Sequence, residues 1–236
     1  MRKEKFLNTF KLPSTRNPDI KIIDPMEKLQ KKSVKQNIIK TGTTTVGLIC
    51  KDAVILGTDR RASMAYYVAS KTAKKLHKIQ DHLFMTIAGT VADAQYIVDI
   101  IKAETTIYQL EKNKPIQVKS AARILSNILY QKKMSPYEVG LILGGITEEE
   151  GPILLDIGSY GSILPEDYIA VGSGTPFAIG VLEANYKKKL PPEEGKKICI
   201  DAVKSSIIRD MASGNGIDIA VIRKDGISSE EFIPIS

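Results

Sequence analysis

The order in which strand-like and helix-like stretches follow one another is the feature that most restricts how this chain can fold. Downstream of residue 42 come a β-rich part, two helical patterns, a second β-rich part, two more helical patterns and a last strand. The strand-like runs cover 43–50, 53–56, 75–79, 83–88, 139–146, 153–157, 168–171 and 217–222. Because strands and helices are clustered and do not alternate strictly, we predict an α+β fold with antiparallel sheets and helices layered outside them.

The helical patterns each carry one apolar stripe. The first stripe repeats at i, i+3, i+4, i+7, i+11 and i+14, which is typical of a helix that buries one face. It consists of Ala94, Ile97, Val98, Ile101, Thr105 and Tyr108. A second stripe runs over 118–129, and further helices are predicted over 175–186 and 193–211.

The net charge of +7 belongs entirely to the first 42 residues. They hold eleven basic and four acidic residues, whereas the remainder holds 23 of each. Three prolines and scattered apolar residues predict a poorly ordered extension; a mitochondrial presequence is the competing interpretation. We therefore expect two parts, a basic leader at 1–42 and a folded body at 43–236. The neutral body argues against a nucleic-acid partner.

The composition is that of an ordinary soluble protein, with 43% hydrophobic and 26% charged residues. No apolar run approaches the ~20 residues that a membrane-spanning helix needs. The cysteines, Cys50 and Cys199, lack metal-ligand spacing and are expected to be buried thiols of an intracellular protein. His77 and His82 are the only histidines, and neither has the motif of a Ser-His-Asp triad. A zinc site is not expected.

The bond between Gly42 and Thr43 lies at the entrance to the first strand, which we interpret as an edge strand. If that bond were cut, Thr43 would carry a hydroxyl and a free α-amine, so a nucleophile and a base would arrive on one residue. Asp59 follows the second predicted strand, and Lys75 stands at the beginning of the next strand along the chain. An ammonium held by a carboxylate can stabilise negative charge that develops on oxygen. Spacing alone leaves open that both side chains are merely solvated.

Six motifs occur in the order and at the intervals seen in proteasome β-subunits. They are Thr43-Thr44-Thr45-Val46-Gly47, Asp59-Arg60-Arg61, Lys74-Lys75-Leu76, Ile87-Ala88-Gly89, Gly172-Ser173-Gly174 and Arg209-Asp210-Met211-Ala212-Ser213-Gly214. The chain resembles these subunits, most closely the archaeal type, from residue 43 to about residue 225. The resemblance implies a four-layer α-β-β-α sandwich, the N-terminal-nucleophile hydrolase fold.

The resemblance also implies roles for individual residues. Thr43 is similar to the family's N-terminal nucleophile, which is freed when the Gly42–Thr43 bond cleaves itself. Asp59 and Lys75 resemble the pair that polarises its hydroxyl, and the backbone N–H of Gly89 resembles the oxyanion-hole donor. The groups that position the α-amine and a nearby water correspond to Ser173, Asp210 and Ser213. No cofactor or metal is implied.

Substrate preference follows from the same resemblance. In related subunits the pocket before the scissile bond is lined by positions that match Ala62, Ala73, His77, Ile87 and Val91. Four of these five are apolar here, which predicts cleavage after hydrophobic residues. Partners are implied as well: other β-subunits in a seven-membered ring, flanking rings of α-type subunits, an ATPase unfoldase and unfolded polypeptide substrates, all in the cytoplasm.

Three other interpretations stay open at the level of sequence. The chain could be a catalytically silent β-subunit that keeps its leader, because the leader is longer than archaeal subunits usually carry. It could be a relative of the bacterial two-ring protease, although that protein is shorter and the Arg209–Gly214 motif favours the proteasome. It could also be a binding module that uses its basic tail, against which the neutral body speaks.

Overall fold

The computed structural model describes residues 42–64, 66–224 and 228–235. Within these ranges the chain forms twelve strands and four helices. The strands are β1 (Thr44–Ile49), β2 (Ala53–Asp59), β3 (Ala62–Met64), β4 (Tyr67–Ser70), β5 (Leu76–Gln80), β6 (Leu83–Gly89), β7 (Val139–Thr147), β8 (Gly151–Ile157), β9 (Ile163–Pro165), β10 (Tyr168–Gly172), β11 (Ile217–Arg223) and β12 (Ser229–Ile233). The helices are α1 (Val91–Lys112), α2 (Val118–Gln131), α3 (Thr175–Asn185) and α4 (Pro192–Arg209).

The strands build two antiparallel five-stranded sheets and one separate hairpin. The first sheet has the order β10-β1-β2-β11-β12, the second has the order β5-β6-β7-β8-β9, and β3 pairs with β4 alone. The expectation that the first strand is an edge strand is wrong, because β10 pairs along its outer side from Gly172 to Tyr168. Local sequence shows where a strand begins but not which distant strand covers it.

Three hydrophobic cores separate four layers. One lies between the second sheet and helices α1 and α2, one between the first sheet and helices α3 and α4, and one between the two sheets. Alternation along β2 shows how a single strand serves two cores: Ile55 points to the helices, whereas Val54 and Leu56 point to the other sheet. The predicted four-layer α-β-β-α arrangement is thereby confirmed.

The predicted elements match the observed ones closely, with ends that differ by up to three residues: the strand predicted over 53–56 continues to Asp59. The last predicted helix was drawn to residue 211 but ends at Arg209. Asp210 adopts an extended backbone there, and its carboxylate accepts a hydrogen bond from the N–H of Ala212 at 3.1 Å, which turns the chain out of the helix. The strands β3, β4, β9 and β12 were not predicted: the first three have only three or four residues, and β12 begins with three polar residues, so no apolar pattern marks it.

Four further expectations concern the leader, the two cysteines, membrane-spanning helices and metal sites. The predicted leader at 1–42 lies outside the described residues except for Gly42. Cys50 and Cys199 are free and buried as expected, and burial raises the pKa of the Cys50 thiol to about 12. Among the described residues no helix has the length and apolar character to cross a membrane. Nor do His, Cys, Asp and Glu side chains in those ranges form a group that could hold a metal ion.

Candidate active site

Thr43 lies directly before β1, with the peptide bond to Gly42 intact. Only 4% of the residue is exposed. Its hydroxyl donates to the carbonyl oxygen of Gly42 at 2.7 Å, and its backbone N–H donates to Ser173 Oγ at 3.1 Å. The hydroxyl oxygen is therefore held against the peptide group that precedes it. The nitrogen is held by Ser173, which follows the last residue of β10.

Asp59 lies beside the start of β1 because β1 and β2 form a hairpin. Thr45 pairs with Thr58 in this ladder, so the last residue of β2 lies beside the first of β1. The carboxylate is fully buried and accepts the N–H of Thr44 on Oδ1, at 2.9 Å. Its Oδ2 accepts two further backbone N–H groups, those of Arg61 and Gly214, each at 2.9 Å. Three backbone donors thus fix the side chain of Asp59 in one orientation.

Lys75 completes this buried charge pair. Its Nζ lies 2.7 Å from Asp59 Oδ1, and its side chain is 8% exposed. The backbone carbonyl of Lys75 accepts the N–H of Ile87 at 3.0 Å, which anchors the start of β5 to β6. Burial lowers the pKa of Lys75, and this effect outweighs the attraction of Asp59, which raises it. The site therefore holds a lysine that gives up its proton more readily than a surface lysine does.

A hydroxyl network lies on the other side of Thr43. Asp210 Oδ2 accepts hydrogen bonds from the hydroxyls of Ser173 and Ser213, both at 2.6 Å. The Ser213 hydroxyl also lies 2.7 Å from Thr44 Oγ1. One carboxylate therefore orients the serine that contacts the Thr43 nitrogen and a second serine that is tied to β1.

Two glycines of the site cannot carry a side chain. A Cβ added to Gly42 would overlap the Cβ of Ala212 and come within 2.9 Å of its Cα. Gly89 has a φ of +138°, and a Cβ there would overlap the carbonyl oxygen of Glu138. Gly42 is thus required by close packing in the uncut chain, and Gly89 by its backbone conformation.

Thr43 opens onto a cavity of about 380 Å³. All five residues predicted for the substrate pocket line it together with Lys75 and Gly89. They are Ala62 from β3, Ala73, His77 from β5, Ile87 from β6 and Val91 from α1. The structure therefore brings the predicted pocket and the predicted nucleophile into one space, while their roles stay predictions.

His77 adds no charge to this cavity near neutral pH. Burial, together with the positive charges of Lys102 and Lys74, lowers its pKa to about 4. The imidazole is therefore neutral above about pH 5. The other histidine, His82, is engaged elsewhere, with its Nε2 2.8 Å from the carbonyl oxygen of Ile116.

Four residues of the site were not assigned a role from the sequence. Ser63, on β3, accepts a hydrogen bond on its Oγ from the N–H of Gly42 at 3.0 Å. Thr44, Arg61 and Gly214 supply the backbone N–H groups that bind Asp59. Thr44, Arg61 and Gly214 belong to three of the six motifs, but the use of a backbone N–H as a donor leaves no signal in a sequence, and neither does a lone serine.

The chain is similar in sequence to known proteins over most of its length. The family model described as "Proteasome subunit" matches residues 39–222. The proteasome subunit beta of Methanocaldococcus vulcanius is 48% identical over 195 residues, which are 81% of this chain and 87% of that protein. The proteasome subunit beta 2 of Nitrosopumilus maritimus is 43% identical over 194 residues, 82% of this chain and 91% of that protein.

The fold is an α-β-β-α sandwich in which a threonine, a lysine and an aspartate are buried beside a cavity. The chain belongs to the proteasome subunit family. The two relatives named above are β-type subunits, so the resemblance inferred from the six motifs is confirmed.

Proposed function

We propose that this chain is the threonine-type endopeptidase subunit of a proteasome core particle, and that it hydrolyses peptide bonds of unfolded proteins. The observation that carries the proposal is the position of Thr43 Oγ1, 2.7 Å from the oxygen of the peptide group to be cut, in a cavity that Lys75 also lines. A hydroxyl, a buried cation and a substrate-sized space are the parts that acyl transfer to oxygen needs.

The first reaction is release of the leader. Thr43 Oγ adds to the carbonyl carbon of Gly42 and its proton passes to the nitrogen as the C–N bond breaks, so that the acyl group moves from nitrogen to oxygen and the nitrogen becomes an amine. Water then hydrolyses the ester, which gives a Gly42 carboxylate and restores the Thr43 hydroxyl. Before this step the Thr43 nitrogen is an amide and cannot accept a proton, so the uncut chain is inactive towards peptides.

Peptide hydrolysis repeats the acyl transfer on a bound substrate. The new α-amine, with an ordinary pKa of about 8, accepts the proton of Thr43 Oγ as the oxygen attacks the substrate carbonyl. The proton passes to the departing amine, and water then cleaves the ester. The positive charge of Lys75, oriented by Asp59, favours the deprotonated forms of the nearby amine and hydroxyl.

The remaining residues position the reacting groups and stabilise the negative charge that develops on the substrate oxygen. Ser173, Asp210 and Ser213 position the amine and the attacking water, since Ser173 Oγ already contacts the Thr43 nitrogen. The N–H of Gly89, at the end of β6, stabilises the oxyanion.

Intact mass of the assembled particle tests the proposal: a chain that begins at Thr43 is expected, and an active particle in which every chain keeps its leader refutes it.

Assembly is part of the proposal. Membership of the family supports a core particle in which this chain joins other β-subunits in a seven-membered ring, flanked by α-type rings and supplied by an ATPase unfoldase in the cytoplasm. Retention of the leader until rings form confines peptidase activity to a closed chamber.

Replacing Gly42 with alanine is expected to slow leader removal at least about tenfold, because the new Cβ overlaps Ala212 and displaces the scissile carbonyl. A time course of intact mass measures the rate. Adding Ala212→Gly should restore part of it, since the overlap with the Cβ of residue 212 is removed and only the contacts to the Cα of that residue at 2.9 Å and to Ser173 Oγ at 3.0 Å remain. Ala212→Gly alone is the control, and an unchanged rate in Gly42→Ala contradicts the argument.

The cavity predicts preference for hydrophobic residues before the cleaved bond. Ala73→Val, which adds two methyl groups to the wall, should lower kcat/KM for peptides with Tyr before the bond roughly tenfold. Peptides with Ala at that position should be unaffected. Because His77 is neutral above about pH 5, the preference should be constant between pH 6 and 8. Faster cleavage after Arg or Glu in the unaltered particle rules the assignment out.

A further inference from the structure

A serine outside both sheets contacts the last residue of the leader. Ser63 lies on β3, in the hairpin that forms one wall of the cavity, and it is 6% exposed. Its Oγ accepts the N–H of Gly42 at 3.0 Å, in a buried hydrogen bond between residues 21 positions apart. No role for this side chain follows from the chemistry proposed above.

Two hydrogen bonds hold the scissile peptide, one on each side. The N–H of Gly42, on the acyl side, donates to Ser63, and the N–H of Thr43, on the leaving side, donates to Ser173. Together they fix the orientation of the Gly42 carbonyl relative to Thr43 Oγ1. The bond to Ser173 involves a nitrogen that remains after cleavage, whereas the bond to Ser63 disappears when Gly42 departs.

A substrate residue other than glycine cannot take the place that Gly42 occupies. A Cβ at that position overlaps Ala212, so any residue other than glycine must place its backbone elsewhere. A substrate with a side chain in the cavity therefore does not reproduce the bond between Gly42 and Ser63. The contact is specific to the leader.

We propose that Ser63 is a positioning residue for release of the leader, and that its hydroxyl aligns the Gly42 carbonyl for attack without a comparable part in peptide hydrolysis. This inference rests on the proposed function, in which Thr43 cleaves the bond before it. Ser63 does not react; it restricts rotation of the acyl group and so raises the fraction of chains in the attacking geometry.

The test compares full-length variants in assembled particles by two readouts. Leader removal is followed by intact mass over time, and kcat/KM on a fluorogenic peptide is divided by the amount of chain that begins at Thr43. Ser63→Ala is expected to slow leader removal about 5- to 10-fold, the effect of one buried hydrogen bond, while kcat/KM per processed chain stays within threefold.

Matched variants separate the hydrogen bond from packing. Ser63→Thr keeps the hydroxyl and should process within threefold of the unaltered chain. Ser63→Cys keeps the volume but offers a weak acceptor, so it should be slow, and it replaces the alanine variant if that one does not fold. Ser126→Ala, in α2, removes a hydroxyl from a residue with the same 6% exposure that donates to the carbonyl of Gly161 and does not line the cavity, so it should leave the rate unchanged.

The outcomes distinguish this inference from the proposal on which it rests. Processing of Ser63→Ala within twofold of the unaltered rate overturns the role of Ser63 alone, as does a loss of kcat/KM equal to the loss in processing. If the unaltered chain never loses its leader in active particles, the proposed function itself fails.

Discussion

Replacing Thr43 with alanine is expected to abolish peptide hydrolysis, with a fall in kcat/KM of at least about 10³-fold. The variant loses the attacking oxygen both for its own release and for substrates, so its leader should remain attached. Its fold should persist, because the hydroxyl makes only a local bond to the carbonyl of Gly42. Fluorogenic peptide assays, intact mass and a melting curve measure the three effects.

Two neighbouring variants serve as controls for Thr43→Ala. Thr43→Ser keeps the hydroxyl and the nitrogen, so it should be cleaved and should retain much of its activity. Thr45→Val changes a threonine of the same strand whose hydroxyl bonds the carbonyl of Val171 at 3.2 Å, and activity should survive. Peptide hydrolysis by Thr43→Ala within tenfold of the unaltered particle would refute the nucleophile assignment.

Replacing Asp59 with alanine is expected to be the most destabilising change at the site. It leaves the Lys75 ammonium buried without its carboxylate and removes the acceptor from three backbone N–H groups. Breaking a buried pair in this way costs about 3–5 kcal/mol, which corresponds to a fall in melting temperature of roughly 6–20 °C for a domain of this size. Calorimetry of the purified variant measures it, and a fall under 3 °C contradicts the argument.

The pH dependence of Asp59→Ala follows from the sign of the Lys75 shift. Burial holds the folded pKa of Lys75 below its ordinary value of 10.5, and loss of Asp59 removes the main effect that raises it. Between the folded and unfolded pKa values the unfolded chain binds more protons, so stability rises with pH. The deficit of Asp59→Ala should therefore shrink from pH 7 towards pH 10. Adding Lys75→Met should recover stability, since no buried ammonium then remains.

Much of the architecture could be predicted from the sequence because it depends on local patterns. The continuous apolar run at 53–56 specifies a buried strand, and the stripe from Ala94 to Tyr108 specifies a helix and its buried face. Motif order identified the family, and the comparisons confirm it. The pairing of β10 with β1 was missed, because that contact joins residues more than a hundred positions apart.

Part of the candidate site could likewise be predicted from the sequence, and part could not. Sequence motifs nominated Thr43, Asp59 and Lys75, because side-chain chemistry is visible in residue types. The backbone donors of Thr44 and Gly214, by contrast, are invisible in a sequence, since every residue except proline carries an N–H.

By itself, then, the sequence determined the class of fold, the family and the residue types capable of acyl transfer. Only the tertiary structure decided that Ser63 contacts Gly42, that Ala212 excludes a side chain there and that Asp59 is buried beside Lys75. The physical reason is distance along the chain. Periodicity and motifs depend on residues that are close in sequence. Hydrogen bonds and close packing between remote segments form only when the sheets assemble.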